Sequence, residues 1–456
     1  MRIRAMPGGR LQGSIRVPGD KSIAHRWLIL ASTASSRSRL TGLPSGLDVR
    51  STASNLANLT VKARPALDLW ARNVASWVEG GGSTWNDALA GASYGTLEVE
   101  GEGRDGLVEP RGRLDCGNSG TSMRLLAGLL SAAPFTTELT GDLSLSSRPM
   151  ERVASPLRSM GATVWTTHGH APISVTGGRL VGIEHRTEVP SAQVKSAVLL
   201  AGVWASGETV VLESAPTRDH TERAFEALGA PVRRDGRGVG ISRFQHEGFG
   251  AAVPGDPSSA AFLVAAAALM ASEMTVEGVG LNPTRLHFLE VLSRMGVTTE
   301  TSVVGEELGE PVGSIHVFPR DALRATTIEA DELPLVIDEV PVLAMLGTHA
   351  PAETRFVRAS ELRVKESDRL TALVEGIRTL GGRAAAEVDD LVIAGGGLRG
   401  GVASSGGDHR LAMAFAVGAL AGDRPSEVAG MEAAAVSFPD FVGTLRSLGA
   451  AIEVIG

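Results

Sequence analysis

The chain has 456 residues, 43% of them hydrophobic and 21% charged, enough for two domains with ample core. Its formal net charge of −8 argues against a nucleic-acid partner and makes any basic cluster a local pocket in an acidic exterior. One cysteine, Cys116, and ten histidines without ligand spacing exclude a disulfide framework and predict no metal site. No apolar run reaches membrane-spanning length, and about a dozen residues before the first expected strand leave no room for a leader. The expectation is a reduced, cytoplasmic protein.

In chain order, residues 14–17 read as a strand ended by Pro18-Gly19, followed by a helix from about Ser22. Lys21, Ser22 and Arg26 then surround an open helix N-terminus, which suits a bound anion; taken alone, the segment reads more simply as a capped helix with a solvated basic turn. Lysine is scarce: only Lys21, Lys62, Lys195 and Lys365 occur among 43 basic residues, and all but Lys62 fall in the motifs below. From 61 to 113 the chain departs from its later rhythm. Pro65 can open a helix there, with Leu67, Trp70, Val74, Trp77 and Val78 at helical spacing, and Trp85 and Tyr94 follow. An added helix packed by its tryptophan face, a lid and an oligomer contact all fit this stretch.

The opening plan returns five times: a turn of glycine or small polar residues, a helix crowded with alanine and leucine, then a strand. The later starts are Gly117-Asn118-Ser119-Gly120-Thr121, Ser191-Ala192-Gln193, Gly255-Asp256-Pro257-Ser258-Ser259, Asp338-Glu339-Val340-Pro341 and Gly406-Gly407-Asp408-His409-Arg410. Helices apolar nearly all round are buried between other elements. Most units add an amphipathic helix stopped by glycine, at Gly161, Gly229, Gly296, Gly381 and Gly449. The pattern predicts an α/β chain of six β-α-β-α-β-β units, three per half, with helices inside and sheets outside.

Cations recur at the helix starts: Lys195, Arg124, Arg148, Arg218 and Arg410, with Asp338 as an isolated carboxylate. The densest charged run is Arg363-Val364-Lys365-Glu366-Ser367-Asp368-Arg369. In a helical turn Lys365 and Arg369 would share a face with Glu366 beside Arg369; a solvated salt-bridged face is the other reading. Burying many like charges is costly unless an anion neutralises them.

Six motifs, in order, carry a resemblance: Val-Pro-Gly-Asp-Lys-Ser-x-x-His-Arg (17–26), Gly-Asn-x-Gly-Thr-x-x-Arg (117–124), Ser-Ala-Gln-x-Lys-Ser (191–196), Gly-Asp-Pro-Ser-Ser (255–259), Leu-Arg-Val-Lys-Glu-Ser-Asp-Arg-Leu (362–370) and Asp-His-Arg-x-Ala-Met (408–413). Together the chain resembles the 5-enolpyruvylshikimate-3-phosphate synthase family over nearly its whole length. The resemblance implies a two-domain inside-out fold: 18–253 with an insertion at about 61–113, and 1–17 with 254–456, the hinge being crossed near Pro18 and near 253–255. It implies transfer of the enolpyruvyl group of phosphoenolpyruvate to the 5-hydroxyl of shikimate 3-phosphate, releasing phosphate, in the shikimate pathway to chorismate and aromatic amino acids. No cofactor or metal, a monomeric state and sensitivity to the herbicide glyphosate, through Gly120, come with it.

Position by position, the resemblance gives shikimate 3-phosphate to Lys21, Ser22, Arg26, Ser191, Ala192, Gln193, Arg218, Asp338 and Lys365. It gives phosphoenolpyruvate to Lys21, Gly120, Arg148, Gln193, Arg369 and Arg410. Asp338 is the implied base and Glu366 the implied acid, with Lys21 touching both substrates; Asn118, Arg124 and His409 match motif positions of less defined role. Val436 stands where many members place lysine, and Glu361 where some place asparagine. Two other readings fit the sequence less well. The related transferase acting on UDP-N-acetylglucosamine uses a loop cysteine, whereas Cys116 reads as buried and inert. A non-catalytic anion-binding relative would not need both Asp338 and Glu366.

Overall fold

The computed structural model of the chain describes residues 1–79 and 96–456. Trp85 and Tyr94 therefore lie outside the described residues. Six helices form the interior: α1 (Lys21–Thr33), α2 (Gly120–Leu130), α3 (Ala192–Gly202), α4 (Pro257–Leu269), α5 (Val340–Thr348) and α6 (His409–Ala419). Every residue of α2, α4, α5 and α6 is buried, as their all-round apolar composition requires. Around them lie six small sheets. Five of the amphipathic helices end at glycines in the left-handed region, Gly161, Gly229, Gly296, Gly381 and Gly449. Among the described residues no helix is long and apolar enough to cross a membrane.

The sheets repeat one order. In the unit around α2, strand Leu114–Asp115 runs parallel to Thr136–Thr140, which pairs antiparallel with His170–Thr176, and that strand with Thr163–Thr167. Two units exchange their first strands. Ser14–Arg16 pairs in parallel with Met274–Gly280, beside α4, while Gly250–Ala252 pairs in parallel with Arg37–Thr41, beside α1. The strand leading into α1 thus belongs to the fourth unit's sheet. A strand unforeseen in the sequence, Arg2–Ala5, sits centrally in the last sheet between Ser426–Ala429 and Ile452–Val454. Its alternation is clear, Ile3 and Ala5 being buried and Arg2 and Arg4 outward, but four residues are too short a run to read.

Two hydrophobic clusters result. One contains Ile23 through Val253; the other joins Ile3 to Val17 with Ala260 to Ile452. Between them the chain passes twice, side by side: Asp20 N–H donates to Pro254 O and Asp256 N–H to Pro18 O, with a bridge between Gly19 and Gly255. A Cβ on Gly19 would lie 2.1 Å from Gly42 O, so this crossing tolerates no side chain there.

Helix Arg64–Glu79 packs Leu67, Trp70 and Val74 into the first cluster, which favours the packed-helix reading of this segment. Cys116 is fully buried behind the strand Leu114–Asp115, and burial pushes its thiol far up. Asn55 Nδ2 lies 3.6 Å from its sulfur.

Candidate active site between the two halves

All six buried helices point their N-terminal ends at one cavity of about 380 Å³. Lys21 and Ser22 enter it from α1, Gly120 and Arg124 from α2, and Ser191, Ala192 and Gln193 from α3. Asp256 precedes α4, Asp338 precedes α5, and Arg410 opens α6. Five of these starts are capped by a side-chain oxygen, from Asp20, Ser119, Ser191, Asp256 and Asp408. The caps occupy only part of the free N–H set, and the dipoles' positive ends converge.

Cations dominate the walls. From the first half come Lys21, Arg124, Arg148, Arg152 and Arg218; from the second, Arg285, Arg358, Lys365 and Arg410. Burial, then the nearby Arg152 and Arg148, push the Arg124 guanidinium down to about 9. Burial likewise lowers the Lys365 ammonium. The buried Nε atoms of Arg124 and Arg148 and Nη1 of Arg369 have no hydrogen-bond partner. Such crowding of poorly satisfied cations is what an anionic ligand corrects.

Of the six carboxylates in the lining, Asp338 and Glu366 each sit among several of these cations. Asp338 is bound by Arg218 at 2.5 Å and Arg410 at 3.3 Å, with Arg369 at 3.7 Å. Burial raises its carboxyl, but Arg410, Arg218, Arg369 and Lys365 outweigh that and hold it well below the usual range. Glu366 pairs with Arg369 at 2.6 Å and lies 4.0 Å from Arg148. It too is held low against burial, chiefly by Arg369, with Arg148 and Lys21. His409 is pushed down to about 3 by burial, Lys21 and Arg410, so its ring is neutral.

Several expected residues stand one layer back from the cavity wall. Arg26 donates to Thr221 Oγ1 at 2.7 Å, Ser196 Oγ at 2.6 Å and Ser22 O at 2.8 Å. Arg369 is fully buried behind Glu366 and Asp338, its Nε on Asp408 at 2.8 Å. Asn118 accepts from Arg148 at 2.6 Å. Lys365 and Glu366 are not helical, which corrects the shared-face expectation: Asp368 caps at Thr371 N–H, the helix begins at Arg369, and Lys365 is extended in the loop before it. Lys195 does not face the cavity. Its ammonium is locked inside the first half between Glu213 at 2.9 Å and Glu222 at 2.7 Å.

Sequence reasoning missed Asp48, whose carboxylate accepts from Lys21 Nζ at 2.9 Å on the cavity wall. It also missed Arg152, 3.7 Å from Glu361 across the cleft. Each lies in a helix's first turn, Asp48 in Leu47–Leu59 and Arg152 in Glu151–Ser159, but outside the six repeated helix starts, so only the fold brings them in. Val436 closes a 3-10 turn whose backbone abuts Gly46, outside the cavity lining.

The sequence profile described as EPSP synthase (3-phosphoshikimate 1-carboxyvinyltransferase) matches residues 5–73 and 92–445. The chain belongs to the EPSP synthase family. Proteins named 3-phosphoshikimate 1-carboxyvinyltransferase from Halorhodospira halophila and Methylococcus capsulatus are each 45% identical to it. The first match covers 99% of this chain and 97% of that protein, the second 99% and 98%. The crystal structure of EPSP synthase from Acinetobacter baumannii superposes with a TM-score of 0.83 at 37% identity, covering both chains fully. Within 61–113 the profile leaves residues 74–91 unmatched.

Proposed function

We propose that this protein transfers the enolpyruvyl group of phosphoenolpyruvate to the 5-hydroxyl of shikimate 3-phosphate and releases phosphate. The observation that carries this reading is the meeting of six helix N-termini at one cavity that holds both Asp338 and Glu366 among cations from both halves. Two phosphorylated, carboxylated substrates repel each other, and cations from both sides offset that repulsion.

In this reading Lys21, Ser22, Ser191, Ala192, Gln193, Arg218 and Lys365 hold shikimate 3-phosphate, with Arg26 bracing Ser22 from behind. Gly120, Arg148, Gln193 and Arg410 hold phosphoenolpyruvate, with Arg369 setting the charge behind it. Asp338 takes the proton from the 5-hydroxyl as its oxygen attacks C2 of phosphoenolpyruvate, and Glu366 delivers a proton to C3. The resulting tetrahedral intermediate loses phosphate and one proton from its new methyl group, restoring the enol ether. Glu366 is held ionised by Arg369, Arg148 and Lys21. An arriving phosphate and carboxylate cancel those fields, so the substrate itself makes Glu366 an acid. Residues 18–253 and the combined 1–17 and 254–456 act as the two domains that close and exclude water. A cytoplasmic monomer is the proposed state.

Phosphate release from shikimate 3-phosphate and phosphoenolpyruvate tests the reading. Asp338→Asn and Glu366→Gln are each expected to lower kcat by about 10²–10⁴-fold, the usual worth of general acid–base catalysis, while shikimate 3-phosphate still binds. Wild-type protein that binds both substrates without turnover would favour the non-catalytic relative.

A further inference from the structure

Under the cavity, where the two crossing strands run side by side, lies a guanidinium outside every motif noted in the sequence. Arg285 ends the 3-10 turn Pro283–Arg285, is 3% exposed and touches the cavity floor. Its Nη1 donates to Asp20 Oδ2 at 2.5 Å. Its Nη2 donates to Asp256 Oδ1 at 3.0 Å and to Ser258 Oγ at 2.8 Å. Asp20 and Asp256 are also the caps of α1 and α4, through Ile23 N–H and Ser258 N–H. The Ser258 hydroxyl in turn donates to Glu339, the residue next to Asp338.

One planar fork therefore ties the helix start that carries Lys21 and Ser22, in the first half, to the cap of α4 in the second. Through Ser258 it reaches the backbone that carries Asp338. Charge alone does not require this residue type, since a buried lysine also neutralises two carboxylates. The fork adds a fixed angle between two acids that stand on separate crossing strands. Chemistry at the 5-hydroxyl depends on that angle, because a misplacement of about 1 Å can cost on the order of 100-fold in rate.

We propose that Arg285 is a positioning residue for the reaction: it fixes the placement of Lys21 and Ser22 relative to Asp338, so that one bound shikimate 3-phosphate meets both. This rests on the enolpyruvyl-transfer reading given above. The test compares Arg285→Lys, which keeps the charge without the fork, and Asp20→Asn, which keeps a capping oxygen without the charge, with their double variant. Each full-length protein is assayed for kcat and KM with both substrates, for shikimate 3-phosphate affinity by calorimetry, and for its unfolding midpoint.

Each single variant is expected to lose about tenfold or more in kcat, with shikimate 3-phosphate affinity changed less than about threefold, as misplacement rather than lost binding demands. The double variant is expected to be no slower than the slower single, because the two groups act as one unit. Wild-type kcat in the singles overturns the proposal. So do losses that multiply in the double, or activity that falls only in step with the folded fraction. If Arg285→Lys does not fold, Asp20→Asn decides by the same kcat-against-affinity split. A wild-type protein without turnover sinks the functional reading first, and this proposal with it; an active wild type with unaffected variants sinks this proposal alone.

Discussion

Gly120 shows how narrow the site is at single residues. A Cβ there would stand 2.7 Å from Arg124 Nη1 and 3.4 Å from Arg148 Nη1, so an added methyl displaces the Arg124 guanidinium end and comes into contact with that of Arg148. Gly120→Ala is expected to raise KM for phosphoenolpyruvate about tenfold, equivalent to roughly 1.4 kcal/mol, with kcat less affected; the bulkier glyphosate should lose more, measured as its inhibition constant. Lys365 supplies a pH test. Burial lowers its pKa, so its positive charge is lost as pH rises, sooner than for an ordinary lysine. Shikimate 3-phosphate affinity should therefore fall on the alkaline side at a pH below the ordinary lysine value of about 10.4. An alkaline limb unchanged in Lys365→Arg would assign it elsewhere. The scarcity of lysine pointed correctly to cavity positions at Lys21 and Lys365, yet the same signal misled at Lys195. There the scarce ammonium neutralises Glu213 and Glu222 in the interior. Lys195→Met should cost about 3–5 kcal/mol of stability by leaving two buried carboxylates unpaired, while the folded fraction turns over normally. Asp48 and Arg285 were illegible for the opposite reason: the Lys21 partner of Asp48 lies 27 positions away, and the partners of Arg285 lie 27, 29 and 265 away.

Among the elements, the interior helices were legible because small apolar residues on every face leave no solvent side, and the glycine stops marked where their amphipathic companions end. The edges were less legible. The exchange of Ser14–Arg16 and Gly250–Ala252 between sheets leaves no local trace, because each strand alternates correctly for either partner. The pins between elements are polar and distant in sequence. Asp219 before helix His220–Ala227 accepts from Asn282 at 2.8 Å, Arg223 at 2.9 Å and Arg234 at 3.1 Å. Burial raises its carboxyl, but Asn282, Arg223 and Arg234 bring it down to about 2. A carboxyl lowered on folding stabilises the protein above its unfolded pKa, and that contribution disappears as pH falls through the folded value. Asp219 should thus contribute up to about 2 kcal/mol at neutral pH, less the screening at half-exposed Arg234, and lose it between about pH 4 and 2. Asp219→Asn should flatten the acid side of the stability curve in that window, measured by denaturant titration; an unchanged slope would place the acid lability elsewhere.

For the whole molecule, ion pairs cross between the halves at the cleft: Arg218 with Asp338, Arg152 with Glu361, and Arg148 with Glu366. Substrate anions compete with these carboxylates for the same arginines. A second tie lies away from the cleft. The hairpin of Thr299–Glu307 and Glu310–Val317 belongs to the second half, yet its turn rests on the first. Glu307 Oε2 accepts from Ala252 N–H at 2.9 Å, Gly309 O from Arg223 at 3.1 Å, and Leu308 packs against the first cluster. Leu308→Ala removes about 1–2 kcal/mol of apolar contact from this tie. Calorimetry should then show a single endotherm broadening or separating into two, as the cores unfold less cooperatively. A transition as sharp as wild type would mean that the Leu308 contact does not couple the halves.

The interlaced strands also order the birth of the protein on the ribosome. The first core lacks its parallel strand Gly250–Ala252 until more than half the chain has been made. Arg2–Ala5 pairs with Ser426–Ala429 and Ile452–Val454, strands that lie more than 400 residues further along the chain. Until those are made it lacks both partners, and its outward Arg2 and Arg4, later matched to Glu427 and Glu453, keep the waiting edge charged and soluble.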